Sequence, residues 1–174
     1  MVKIKILFFC LILSSVSFFP PFLQKYSEHG CGPKSLSFVM STLGYTKTND
    51  LQNKFEKDEI FIKLEKLYYI VKNTGYICNI QVMDVSLLRS KKPLGILHVD
   101  GSHFVGLVGY DSQTIHIAET GYEGPPRIER WSDGDLMARW DGVILVISKP
   151  KDGTIPPVAA QKATQAPPAA RLGN

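Results

Sequence analysis

Cys31 is the residue whose neighbours best suit it to act as a nucleophile. It lies between Gly30 and Gly32, which let the backbone approach another group closely, and Pro33 suits the first turn of a helix. A cysteine at a helix N-terminus is close to unpaired amides and to the positive end of the helix dipole. Both favour the thiolate, and the amides can stabilise an oxyanion during acyl transfer. The same pattern also fits a cysteine that merely caps a helix. Whether Cys31 is a nucleophile therefore depends on whether a base and an orienting residue can lie beside it.

His103 is the candidate base, and Glu119 is the candidate residue to orient it. His103 directly follows the tight turn 100–102 and begins a long apolar strand, so it can face a cleft from a rigid position. Glu119 ends the next strand, and an antiparallel hairpin brings that end beside the start of the His103 strand. A carboxylate there could fix the imidazole tautomer and stabilise its charged form.

The other histidines are weaker candidates. His116 alternates with apolar neighbours and is predicted to face solvent, His98 is predicted to pair within the sheet, and His29 is too near Cys31 in the chain to be a good base. A metal site built from Cys31, His98 and His103 lacks the CxxC or HxxxH spacing typical of such sites. We therefore predict no metal and no cofactor.

The apolar pattern changes period once along the body of the chain. Helical spacing predicts helices over about 32–44, 48–57 and 60–75. Alternation then predicts strands over 76–82, 94–99, 103–110, 114–119, 127–130 and 142–148, with short helical turns at 85–89 and 133–140. Helices followed by an antiparallel meander predict an α+β fold with one layer of helices against one sheet.

Both ends of the chain lie outside the predicted domain, residues 20–150. Residues 1–19 have a basic start, an apolar run and then small residues, as in a secretory signal peptide or a single membrane anchor. Residues 151–174 are rich in Pro, Ala and Gln and predict a mobile tail. We therefore expect an exported body at the periplasmic or extracellular face of the membrane, where it could associate with the membrane or with export machinery.

The charge and the cysteine content exclude some classes of protein. The net charge is only +4, part of it comes from the N-terminal Lys3 and Lys5, and no basic cluster indicates binding to nucleic acid. The three cysteines form no disulfide framework. Cys31 and Cys78 could pair in an oxidising space, but the alternating apolar run around Cys78 predicts a small buried side chain instead.

Three segments together resemble the bacteriocin-processing, double-glycine cysteine peptidases of the papain-like clan. Residues 31–40, Cys-Gly-Pro-Lys-Ser-Leu-Ser-Phe-Val-Met, are similar to the nucleophile helix of that family. Residues 92–99 with 102–105 resemble its histidine strand, and residues 114–119 with 140–145 resemble its third-residue strand and closing strand. The resemblance spans about residues 24–148 and implies a papain-like α+β fold.

The resemblance also implies an activity and a set of site residues. The substrate would be a peptide or protein with a small-residue, often Gly-Gly, cleavage site, and the mechanism would use Cys31, His103 and Glu119. Gln24 would be the oxyanion donor, one residue further from Cys31 than in the family. Glu119-Thr120 stands where the family usually has Asp-Pro. Two alternatives remain open: a degenerate module that binds leader peptides or envelope proteins without cleaving them, and an amidase or transpeptidase on the same fold.

Overall fold

A computed structural model describes residues 26–28, 30–55, 61–121 and 126–151 of the chain. The predicted signal segment 1–19, Gln24, His29 and all but the first residue of the predicted tail lie outside these residues. Within the described ranges no helix has the length and apolar character needed to span a membrane.

Five helices and eight strands make up the described part of the chain. The helices are α1 (Cys31–Thr42), α2 (Thr48–Gln52), α3 (Leu64–Lys72), α4 (Val85–Lys91) and α5 (Asp133–Arg139). The strands are β1 (Tyr26–Glu28), β2 (Phe61–Lys63), β3 (Ile77–Val82), β4 (Leu94–Val99), β5 (His103–Tyr110), β6 (Ile115–Glu119), β7 (Arg127–Trp131) and β8 (Trp140–Ser148). The α+β class predicted from the sequence is confirmed.

The main sheet is antiparallel throughout, with the strand order β3-β8-β4-β5-β6-β7. Strands β4 to β7 form the predicted meander. The prediction of a simple meander is wrong for β8, which inserts between β3 and β4. The chain returns to that position through α5, so neighbours in the sheet are not all neighbours in the sequence.

Helices cover both faces of the sheet, so the predicted single helical layer is wrong. One core lies between the sheet and the helices α1 and α3, and it includes Leu36, Leu67 and Phe104. A second core lies on the opposite face under α4 and α5, and it includes Leu88 and Leu136. The physical reason is visible in β4, where five successive residues are buried. A strand that buries consecutive side chains must be covered on both faces.

The segment before α3 also differs from the prediction. Instead of one long helix from about residue 60, a three-residue strand β2 precedes a helix that begins at Leu64. Strand β2 pairs with β1 in a separate two-stranded sheet, and this long-range pairing overrides the local helical spacing. Helix α2 ends at Gln52, earlier than the predicted 57.

Helix α1 lies unusually close to strand β5 because Gly106 has no side chain. A Cβ atom at Gly106 would lie 3.0 Å from Val39 Cγ2 and 3.4 Å from the carbonyl oxygen of Ser35. The glycine therefore lets α1 pack directly on the backbone of β5. This close approach brings the first residue of α1 beside the first residues of β5.

Candidate active site

Cys31 begins α1 and is almost completely buried, with 2% of its surface exposed. Gly30 precedes it with a φ of 74°, a left-handed conformation that glycine adopts without strain. The first turn of α1 contains no acidic residue, and no side chain caps it. The amides and the positive dipole end of α1 can therefore act on the thiol, as the sequence predicted.

A backbone amide of the sheet reaches the sulfur. The N–H of Phe104 donates to Cys31 Sγ with an N–S distance of 3.4 Å. A donor at this distance stabilises the thiolate more than the neutral thiol, because a charged acceptor forms the stronger hydrogen bond. Local sequence could not reveal this contact, since it joins residues 31 and 104 across the packing of α1 on β5.

His103 and Glu119 lie side by side at one end of the sheet. His103 Nε2 is 2.7 Å from Glu119 Oε1, and both side chains are largely buried. Strands β5 and β6 pair Gly106 with Ala118. Continuing this register by one residue sets Glu119 opposite Val105, diagonal to His103 and on the same face of the sheet. The predicted hairpin geometry thus brings these two side chains together.

The electrostatics of the site favour a charged histidine. Burial disfavours the imidazolium, but hydrogen bonds to the side chains of Cys31 and Glu119 outweigh it and raise the pKa of His103 from 6.5 to about 10. Burial also disfavours ionised Glu119, yet its hydrogen bond to His103 and the nearby positive charges hold the pKa of Glu119 below its ordinary 4.5. At neutral pH both partners are therefore ionised.

The two ring nitrogens of His103 have different neighbours. Because Nε2 bonds the carboxylate of Glu119, Nδ1 is the atom left to exchange a proton with Cys31. The three side chains thus form a chain of contacts from carboxylate to imidazole to thiol. Such an arrangement can hold a thiolate–imidazolium pair ready for nucleophilic attack.

Arg139 supports this group of residues and was not singled out from the sequence. Its guanidinium bonds the carboxylate of Asp100 through Nε and Nη2, at 3.0 and 2.6 Å, and its carbonyl oxygen accepts the N–H of Asp100 at 2.8 Å. Asp100 begins the turn that leads into His103. The positive charge of Arg139 also helps to lower the pKa of Glu119. Arg139 of α5 therefore holds the turn before His103 and also favours the ionised form of Glu119.

The remaining candidates lie apart from this group. His98 is 1% exposed, and its Nδ1 is 2.6 Å from Asp141 Oδ2, a contact between β4 and β8 that agrees with its predicted place in the sheet. His116 is partly exposed, and its Nε2 atom lies 3.2 Å from Asp111 Oδ2. Neither Cys31 nor Cys78 forms a disulfide bond in the described part of the chain. Within the described ranges no cluster of three or more His, Cys, Asp and Glu side chains could hold a metal ion.

Two solved structures share the fold of this chain. One is a double glycine motif protease from an AMS/PCAT transporter in complex with the leader peptide. It has a TM-score of 0.56 and 16% identity over 69% of this chain and 84% of that one. The other is the peptidase domain of Streptococcus ComA, a bifunctional ABC transporter involved in a quorum-sensing pathway. It has a TM-score of 0.57 and 17% identity over 73% of this chain and 99% of that one. No curated protein matches the sequence significantly.

The papain-like architecture inferred from the sequence is therefore found in both of these neighbours. At such low identity the structures establish the fold alone. The family follows from the sequence itself, because the model of the Peptidase C39 family matches residues 20–152, most of the chain. This protein belongs to the Peptidase C39 family.

Proposed function

We propose that this protein is a cysteine endopeptidase that cleaves peptides or leader sequences after small residues of the Gly-Gly type. Cys31 is the nucleophile, His103 the base and Glu119 the residue that orients the base. The observation that carries the proposal is the position of His103, which hydrogen-bonds Glu119 through Nε2 and interacts with the side chain of Cys31. A buried cysteine with only a structural role needs no such partners.

The reaction begins with attack of the Cys31 thiolate on the carbonyl carbon of the scissile bond. The oxyanion that forms is stabilised by amides at the N-terminus of α1, and Gln24, outside the described residues, is the candidate for a further donor. His103 gives a proton to the departing amine as the C–N bond breaks, which leaves a thioester on Cys31. His103 then takes a proton from water, whose oxygen attacks the thioester, and the product acid leaves as the thiolate returns.

The substrate class is supported by one of the structural neighbours. The transporter protease named above is a double glycine motif protease and was solved with a leader peptide. A peptide ligand of this kind, with small residues at the cleavage site, is the substrate that we propose for this chain.

We also propose that the protein acts on the outer side of the membrane, close to the membrane or to export machinery. The support is the basic and apolar pattern of residues 1–19. Residues 1–25 fused to a reporter enzyme that is active only after export should yield an active reporter. A reporter that stays inactive inside the cell would contradict the proposal.

The alternative function is a module that binds leader peptides or envelope proteins without cleaving them. One observation favours it: the acid beside His103 is Glu119, whose extra methylene shifts its carboxylate from the position of the family's usual Asp. A peptidase turns over its peptide substrate and a binding module does not, so a peptide-cleavage assay distinguishes the two functions.

The direct test is cleavage of peptides that contain an internal Gly-Gly, followed by mass spectrometry. Cys31→Ala should reduce turnover at least ~1000-fold, the scale observed when a nucleophile is removed. Cys78→Ala is the matched control, because Cys78 is likewise outside any disulfide but lies on β3, which β8 and β4 separate from the His103 strand β5. Full activity of Cys31→Ala would refute the mechanism. Peptide binding without cleavage by the unmodified protein would support the binding module.

A further inference from the structure

Two buried hydroxyl groups, those of Ser35 and Thr120, meet behind the three candidate catalytic residues. Ser35 has no exposed surface, Thr120 is 2% exposed, and their hydroxyl oxygens are 3.0 Å apart. Ser35 Oγ also donates to the carbonyl oxygen of Phe104 at 2.9 Å, and Thr120 Oγ1 donates to the carbonyl oxygen of Cys31 at 3.2 Å. The pair therefore joins α1, β5 and the end of β6.

Ser35 lies one helical turn after Cys31 on α1, and the other three residues of this network are chain neighbours of a candidate catalytic residue or are one themselves. Thr120 directly follows Glu119, Phe104 directly follows His103, and Cys31 contributes its own carbonyl oxygen. Phe104 also donates its N–H to the sulfur of Cys31. A displacement at the hydroxyl pair would therefore change the relative positions of the thiol, the imidazole and the carboxylate together.

The proton count makes the two hydroxyls interdependent. Two hydroxyl protons serve three contacts, namely those to Phe104 O, to Cys31 O and between the hydroxyls themselves. One hydroxyl must therefore accept from the other whenever that contact is made. Loss of either hydroxyl leaves buried polar groups with fewer partners, which is costly in a site closed to water.

We propose that Ser35 and Thr120 are positioning residues, whose paired hydroxyls set the geometry of Cys31 against His103 and Glu119. This inference rests on the proposed peptidase function, because its purpose is to hold the nucleophile, the base and the orienting acid in register. Both residues are buried, so their role would be to position the site and not to bind substrate. A positioning error of about 1 Å in such a group can lower the rate about 100-fold.

The test compares Thr120→Val, which keeps the shape but removes the hydroxyl, with Thr120→Ser, which keeps the hydroxyl. In the full chain, Thr120→Val should lower kcat about 10- to 100-fold and change KM by less than about threefold. The pH midpoint of Cys31 alkylation by iodoacetamide, measured on the Cys31 peptide by mass spectrometry, should rise toward about 8.5. Thr120→Ser should stay close to the unmodified protein in both measurements.

Ser37→Ala is the matched control on the same helix. Ser37 is also buried, and its hydroxyl has no hydrogen-bond partner in the described part of the chain. Its loss should leave kcat and the alkylation midpoint unchanged. Ser35→Ala provides a second route if Thr120→Val fails to fold, and it should lower kcat and raise the midpoint in the same way. The double variant should lose less than the product of the two single losses, because the hydroxyls act together.

Several results would overturn the inference. Thr120→Val or Ser35→Ala with unchanged kcat and unchanged midpoint would show that the hydroxyls do not position the site. Thr120→Ser as impaired as Thr120→Val, or Ser37→Ala with the same shift, would also refute it. Alkylation needs no peptide substrate, so it separates the two proposals. If no peptide is cleaved but the midpoints shift as expected, the proposed function fails while the positioning role stands.

Discussion

At the scale of single residues, the contacts of His103 determine the chemistry. Its Nε2 bonds Glu119 and its interaction with Cys31 favours the charged ring, so its pKa of about 10 lies well above neutral pH. Glu119 has the opposite shift, with a pKa held below 4.5. The site is therefore organised around an imidazolium that bonds the Glu119 carboxylate and interacts with Cys31, and the Phe104 amide and the N-terminus of α1 add positive potential at the sulfur.

Glu119→Gln tests this charge pairing through the pH dependence of stability. The interactions that raise the pKa of His103 stabilise the fold fully below pH 6.5, and this stabilisation is lost as the pH rises toward about 10. The interactions that lower the pKa of Glu119 stabilise the fold above pH 4.5. This stabilisation is lost as the pH falls through the pKa that Glu119 has in the folded protein. The difference in unfolding free energy between the unmodified protein and Glu119→Gln should therefore be largest between pH 4.5 and 6.5.

Urea unfolding across this pH range provides the measurement. Glu129→Gln, a change of the same kind on the edge strand β7, is the control, and its effect should not peak in that window. A difference between Glu119→Gln and the unmodified protein that does not vary with pH would contradict the ionised pair. Glu119→Gln should also lower turnover, but by less than Cys31→Ala, because orientation is one contribution among several.

At the scale of secondary-structure elements, the site depends on how three of them meet. Gly106 lets α1 approach β5, the β5–β6 hairpin sets Glu119 diagonal to His103, and α5 holds the turn before His103 through Arg139. Ser132 alone connects β7 to α5, and its capping box with Asp135 defines the start of the helix. The elements on both faces of the sheet therefore converge on one end of β5.

Gly106→Ala should destabilise the protein and disturb the site. The new Cβ would lie 3.0 Å from Val39 Cγ2 and 3.3 Å from Ala118 Cβ, so α1 must move outward, at a cost of about 1–3 kcal/mol. Gly134→Ala is the control within helix α5, where the nearest atom would be 3.6 Å away. That change should stabilise the protein by up to about 1 kcal/mol. Equal effects of the two changes in urea unfolding would contradict the close packing of α1.

Arg139→Gln should weaken catalysis without removing any of the three candidate catalytic residues. It releases Asp100 and removes a positive charge that lowers the pKa of Glu119, so the acid limb of the pH–rate profile should move to higher pH. Arg130→Gln removes the same charge from an exposed position on β7 and should leave the profile in place. An unchanged acid limb in Arg139→Gln would show that this arginine has no influence on the site.

At the scale of the whole molecule, the sequence predicted the elements better than their arrangement. The bounds of β4 and β5 and the pairing of Glu119 with His103 follow from alternation and a tight turn, which are local signals. The place of β8 and the pairing of β1 with β2 depend on contacts between distant residues, which periodicity does not encode.

The same distinction separates the site residues that were predicted from those that were missed. Cys31 and His103 have recognisable neighbours in the sequence, a glycine pair and a turn. Arg139, Ser35 and Thr120 act through contacts that span 39 to 89 residues of chain, so their roles emerge only in the folded structure. The catalytic roles of Cys31, His103 and Glu119 stay predictions, and chemical measurements must test them.

The most direct test of the central claim is the pH dependence of Cys31 alkylation by iodoacetamide in the full chain, compared with His103→Ala. A thiolate paired with imidazolium should react with a midpoint well below the free-thiol value of about 8.5. The midpoint should rise in His103→Ala, because the variant lacks the positive partner whose pKa is about 10. A midpoint near about 8.5 that the substitution leaves unchanged would contradict the Cys31–His103 pair and favour the non-catalytic binding module.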